Sequence, residues 1–105
     1  MIPLEKVKKI IDKHAKLEID LSATNIDKKK FAEMSKEYSD LNEVINDAKF
    51  YTSFQIEKEE LEKIINDKAS DKDMVELANS ELLALISKNE KVKKKLTIFL
   101  LPKDE

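Results

Sequence analysis

The chain contains no glycine, and its only two prolines, Pro3 and Pro102, stand at the outer ends of the patterned sequence. Tight hairpins are built mainly on glycine and turn-forming residues, so a β-sheet would have little to turn on. With 41% apolar and 40% charged residues interleaved along the whole length, the pattern points to helices. The chain has 105 residues, which fits one small domain with a modest core and marginal stability.

Apolar spacing divides the chain into three helical stretches. The first runs from about Leu4 to Leu21, with Leu4, Val7, Ile10, Ile11, His14, Leu17 and Leu21 three or four apart. Pro3 falls at its first turn, where a missing N–H costs nothing. "SATN" connects to a second stretch predicted from Asp27, as N-cap, to Lys68. Its seam of Phe31, Met34, Tyr38, Leu41, Ile45 and Ala48 follows a heptad and then shifts, which suggests a bend near Thr52-Ser53. After "NDKASDKDM", with Ser70 or Asp71 as cap, a third helix is expected from Lys72 to Leu100, ending before Pro102.

Short connections make neighbouring helices antiparallel. Counting outward from the turns places Ile10 near Tyr38, Val7 near Leu41 and Phe99 near Asp40, so these residues and Leu96 should form the thickest part of the core. The expected fold is all-α: an antiparallel three-helix bundle, coiled-coil-like, in which the long second helix and the third continue as a protruding hairpin arm. The predicted helices all fall within residues 1–101.

Composition excludes several functions. All twenty basic residues are lysine and the net charge is −2, so the arginine fork that reads guanine edges and grips phosphate is missing, and no DNA partner is expected. The absence of cysteine removes disulfides and thiolate metal sites and fits a reducing cytoplasm. No apolar run reaches a membrane span, and "MIPLEKVKKIIDKH" carries charge where a signal peptide needs an apolar stretch. A lone histidine, His14, cannot build a typical zinc site, and phosphate-cradling loops need glycine. No cofactor or catalytic residue is therefore expected, and His14 reads as a structural residue on the apolar line of the first helix. The carboxylates of "EKEELE" and the i,i+4 pairs Glu5–Lys9, Asp12–Lys16, Glu59–Lys63 and Glu90–Lys94 read as a solvated helix surface.

Two features are candidate docking sites. Lys28, Lys29 and Lys30 occupy the first turn of a helix, where cations oppose the macrodipole. Either that cost is tolerated or an anionic partner offsets it. Phe50 and Phe54 are four apart, to one side of the heptad line. They form either a satellite core covered by Met1 and Ile2 or an exposed docking patch.

Three segments resemble a known family. "FAEMSKEYSDL" (31–41) is similar to the F-x-x-L-S-x-E-Y-x-x-L stretch of bacterial class-I peptide chain release factors. "DKDMVELANSEL" (71–82) resembles their D-x-E-M-x-x-M-A-x-x-E-L helix start, and "LLPKD" (100–104) resembles their exit from the N-terminal domain. Departures are Met34 where leucine is usual, Asp73 where glutamate is common and Leu77 where methionine often sits. The last segment favours the factor that reads UAA and UAG over its UGA-reading sister. The resemblance implies that residues 1–101 are a helical N-terminal domain and residues 102–105 the start of an interdomain linker, the domain being a non-catalytic positioning module directed toward the ribosomal stalk base and its GTPase-associated rRNA. It further implies the class-II release factor GTPase and the glutamine methyltransferase as partners. Codon reading and Gly-Gly-Gln hydrolysis would belong to domains beyond this sequence, which has no glycine. A competing reading is a stand-alone helical-hairpin adaptor that self-associates or binds a partner protein.

Overall fold

The computed structural model describes residues 2–23 and 25–102. It is all-α, with four helices in the order α1 (Leu4–Leu21), α2 (Lys28–Asn42), α3 (Ile45–Asn66) and α4 (Lys72–Leu100). Pro3, extended at φ −61° and ψ 130°, caps α1 through its carbonyl, which accepts from the Lys6 N–H at 3.1 Å. The apolar line of α1 buries Val7, Ile10, His14 and Leu17 as its spacing requires. Asp27 caps α2 by its backbone carbonyl to the Phe31 N–H at 2.8 Å; its carboxylate, expected to cap, makes no such bond. Asp71 does cap α4 with its side chain, Oδ1 accepting from the Met74 N–H at 2.8 Å. At the far end Leu101 is extended at φ −64° and ψ 141°, as a residue before proline must be.

The predicted second helix is two helices. It stays helical through Thr52-Ser53, where both hydroxyls turn back onto the preceding turn, donating to the carbonyls of Lys49 and Phe50 at 2.9 and 3.2 Å. The chain bends instead at Glu43-Val44. Val44 sits at φ −120° and ψ 0°, and the Glu43 and Val44 N–H groups bond three residues back, to Asp40 and Leu41. Burial explains the position. α2 packs on α1, whereas α3 packs on both α1 and α4, so a straight helix could not keep one apolar face on both sets of partners. Leu41, Val44, Ile45 and Ala48 straddle the bend and are all buried.

Antiparallel pairing follows from contacts that run in opposite directions along the chain. On α1 and α2, Glu18 meets Tyr38 while His14 meets Asn42. On α3 and α4, Asp47 meets Lys95 while Phe50 meets Lys88. The α1–α2 register is offset by about one turn from the expected one, Tyr38 facing His14 rather than Ile10. The core joins Ile2, Val7, Ile10, Leu17, Leu41, Val44, Ala48, Tyr51, Val92 and Leu96. Tyr38 and Phe99 are only half-buried against it, and Phe31, expected in the seam, is exposed. Beyond Tyr51, α3 and α4 pair alone as the arm, where Ala78 is buried and Leu61, Ile64, Leu82 and Leu85 are half-buried. The molecule measures 61 × 33 × 18 Å. No described helix is long and apolar enough to cross a membrane.

Candidate docking surfaces

Phe50 and Phe54 project from the same side of α3, ring centroids 6.3 Å apart and tilted by 44°. Both are half-buried. Phe50 packs against the main core and carries the Lys88 ammonium of α4 over its ring at 4.5 Å, a cation–π contact. Ile2 is buried and its carbonyl accepts the Tyr51 hydroxyl at 2.8 Å, which ties the start of the chain to the main core. Met1, the other expected cover for the phenylalanines, lies outside the described residues. The pair is thus partly core and partly open surface.

Lys28, Lys29 and Lys30 are all exposed, in a first turn that holds no acidic residue. They are not brought to the phenylalanines, since the remainder of α2 alone puts roughly 20 Å of helix between them and the bend.

Between α1 and α2 lies a polar chain that residue spacing did not reveal. His14, on the buried face of α1, donates from Nε2 to Asn42 Oδ1 at 2.6 Å and stacks on Tyr38 with centroids 4.6 Å apart. Tyr38 in turn donates to Glu18 at 3.2 Å. Partial desolvation, then the Glu18 carboxylate, raise the Tyr38 hydroxyl above the ordinary value of 10.0. The structural reading of His14 agrees with this geometry. Lys13 and Glu37 pair alongside, and of the anticipated ion pairs Glu90 meets Lys93 at 2.8 Å rather than Lys94. Hydrogen bonding and charge from Lys93 hold the Glu90 carboxyl below its usual range, and the same bond holds Lys93 up.

A groove of about 630 Å³ opens where α1, α2 and the last turn of α4 converge. Ile10, Leu41 and Phe99 line its floor, lysines of α1 line one rim and carboxylates of α2 the other. The sequence did hold a signal for it: Lys6, Lys9 and Lys13 repeat at helical spacing, as do Glu37, Asp40 and Glu43.

The fold and these surfaces define an elongated helical module with candidate docking surfaces, and comparison places it in a family. The PCRF domain matches residues 10–105, and the chain belongs to that family. The chain is 55% identical over 105 residues to a protein of Pelagibacter ubique named "Peptide chain release factor 1", covering 100% of this chain and 29% of that relative. Proteins of the same name from Bartonella quintana and Wolbachia pipientis are each 42% identical, over 82 and 102 residues, covering 78% and 93% of this chain but 23% and 26% of their own length. The chain therefore spans less than a third of these relatives. No solved structure gives a significant match.

Proposed function

We propose that this chain is the N-terminal helical domain of a cytoplasmic peptide chain release factor that acts in translation termination at UAA and UAG codons. Its role is to position and dock, directed toward the ribosomal stalk base and the GTPase-associated rRNA. Codon reading and peptidyl-tRNA hydrolysis lie in domains that follow Pro102. The class-II release factor GTPase and the glutamine methyltransferase are its further partners. One observation carries the reading: identity to a release factor 1 of Pelagibacter ubique extends over all 105 residues while covering only 29% of that protein. The same alignment favours this reading over a stand-alone adaptor.

Phe50, Phe54, Lys28, Lys29 and Lys30 supply the contacts. Support for the lysines is electrostatic. The arm tip, residues 57–81, carries nine carboxylates against four lysines and would repel phosphate, whereas the first turn of α2 presents three exposed cations and no acid. An anionic partner there also relieves their repulsion with the helix dipole.

The test is co-sedimentation of the domain with ribosomes across salt concentrations. Binding should weaken with salt, and changing Lys28, Lys29 and Lys30 to Gln should flatten the log–log slope by about two to three, at roughly 0.7 to 0.9 per lost phosphate contact with three contacts. Phe50→Ala combined with Phe54→Ala should weaken binding while leaving the helical circular dichroism in place. Failure to bind at any salt concentration would refute docking by this domain, and unfolding of the double variant would assign the phenylalanines to the core.

A further inference from the structure

The groove between α1, α2 and the end of α4 is separate from both docking features above, and its mouth is unusual. Ile98 is 70% exposed and Leu101 57%, large apolar side chains left open on the last turn of α4 and the residue after it. Such residues scattered singly need no explanation, but here they adjoin a floor that is already apolar, Ile10, Leu41 and Phe99. The chain leaves α4 at this same place. Leu101 is extended and Pro102 bars continuation of the helix, so whatever follows Pro102 starts at the lip of the groove. In the relatives, more than two thirds of the sequence lies outside the stretch that matches this chain.

We propose that the groove is the seat of the polypeptide that follows Pro102 in the full-length factor: an amphipathic segment whose apolar side covers Ile98 and Leu101. This rests on the reading of the chain as an N-terminal domain. Tethering favours that occupant over any free one. A segment joined at the rim by a short linker is present at an effective concentration near the millimolar range, so even a weak apolar contact is mostly formed. Charge selects its orientation. With Lys6 and Lys9 on one rim and Asp40 and Glu43 on the other, the segment seats with acidic side chains toward α1 and basic ones toward α2.

Cysteine labelling tests this, because these 105 residues contain no cysteine of their own. Ile98→Cys reports on the groove, Lys9→Cys repeats the measurement from its rim, and Leu83→Cys, at a position 72% exposed on α4, is the control. Maleimide labelling is followed at each peptide by mass spectrometry in the 105-residue chain and in the full-length factor. Occupancy of about nine-tenths slows labelling about ten-fold at positions 98 and 9 in the full-length factor and leaves position 83 unchanged. Equal rates at position 98 in the two proteins would overturn the proposal. Protection that appears in the short chain and grows with its concentration would assign the groove to a second copy, and protection that needs added ribosomes would assign it to an external partner; either overturns the tethered occupant. Failure of the underlying reading looks different: the natural gene product would have an intact mass ending at Glu105.

Discussion

Leu96 and Phe99 stand one turn apart on α4, and their exposures decide which of them anchors the bundle. Leu96 is fully buried at 0% and belongs to the central cluster, whereas Phe99 is half-buried with one side on the groove. Leu96→Ala should cost about 2 to 5 kcal/mol, the usual range for emptying a closed aliphatic site. Phe99→Ala should cost less, because part of its ring is already in contact with solvent. Urea unfolding of both variants measures the difference, and a larger loss at Phe99 would mean that the groove is closed in solution. Periodicity placed both residues on the inward line and could go no further, since it records direction around the helix and not depth. His14 shows the same boundary. Its burial was legible from its position among Val7, Ile10 and Leu17, but the Asn42 and Tyr38 that satisfy it belong to another helix, and the register that joins them depends on how the 22–27 connection is folded.

Among the elements, α4 matched its expected limits because both ends carry local chemistry, the Asp71 cap and the Pro102 stop. The division between α2 and α3 had no such mark. No glycine or proline stands at Glu43-Val44, and the bend exists because Val44 and Ile45 are buried between two sets of partners, a tertiary demand that local propensity does not record. The α3–α4 pair contains a second feature set by packing. Asn89 occupies a seam otherwise formed by Leu82, Leu85, Val92 and Leu96; it is 6% exposed, and its Oδ1 is buried without a hydrogen-bond partner among the described residues. A buried acceptor left unpaired costs about 1 to 3 kcal/mol. Asn89→Leu should therefore raise the urea midpoint by a corresponding amount, while relaxing the register that a single polar seam residue helps to fix. A lower midpoint would show that leucine overfills the seam or that the amide oxygen is satisfied in solution.

At the scale of the whole molecule, the arm dominates the shape. A compact chain of this length would have a radius of gyration of about 13 Å, and the structure has 18.6 Å. The excess follows from the chain lengths: α3 and α4 have 22 and 29 residues against 18 and 15 in α1 and α2, so their outer turns have no other helix to pack on. That leaves Ile56, Leu77 and Leu83 at 61, 61 and 72% exposure along the arm. An extended pair with so thin a core holds its form only if the α3–α4 seam is continuous, and the half-buried line of Leu61, Ile64, Leu82 and Leu85 provides that continuity. Small-angle scattering from a dilute solution should thus return a monomer mass with a radius of gyration near 18.6 Å. A value close to the compact figure would mean that the arm folds back on the bundle. A monomer radius that holds at low concentration but rises together with the apparent mass would instead mean that the exposed arm residues pair between copies. Comparing the profile with that of Asn89→Leu then separates shape from register, because a variant that only gains stability keeps the same dimensions, whereas one that slips along the seam changes the length of the arm.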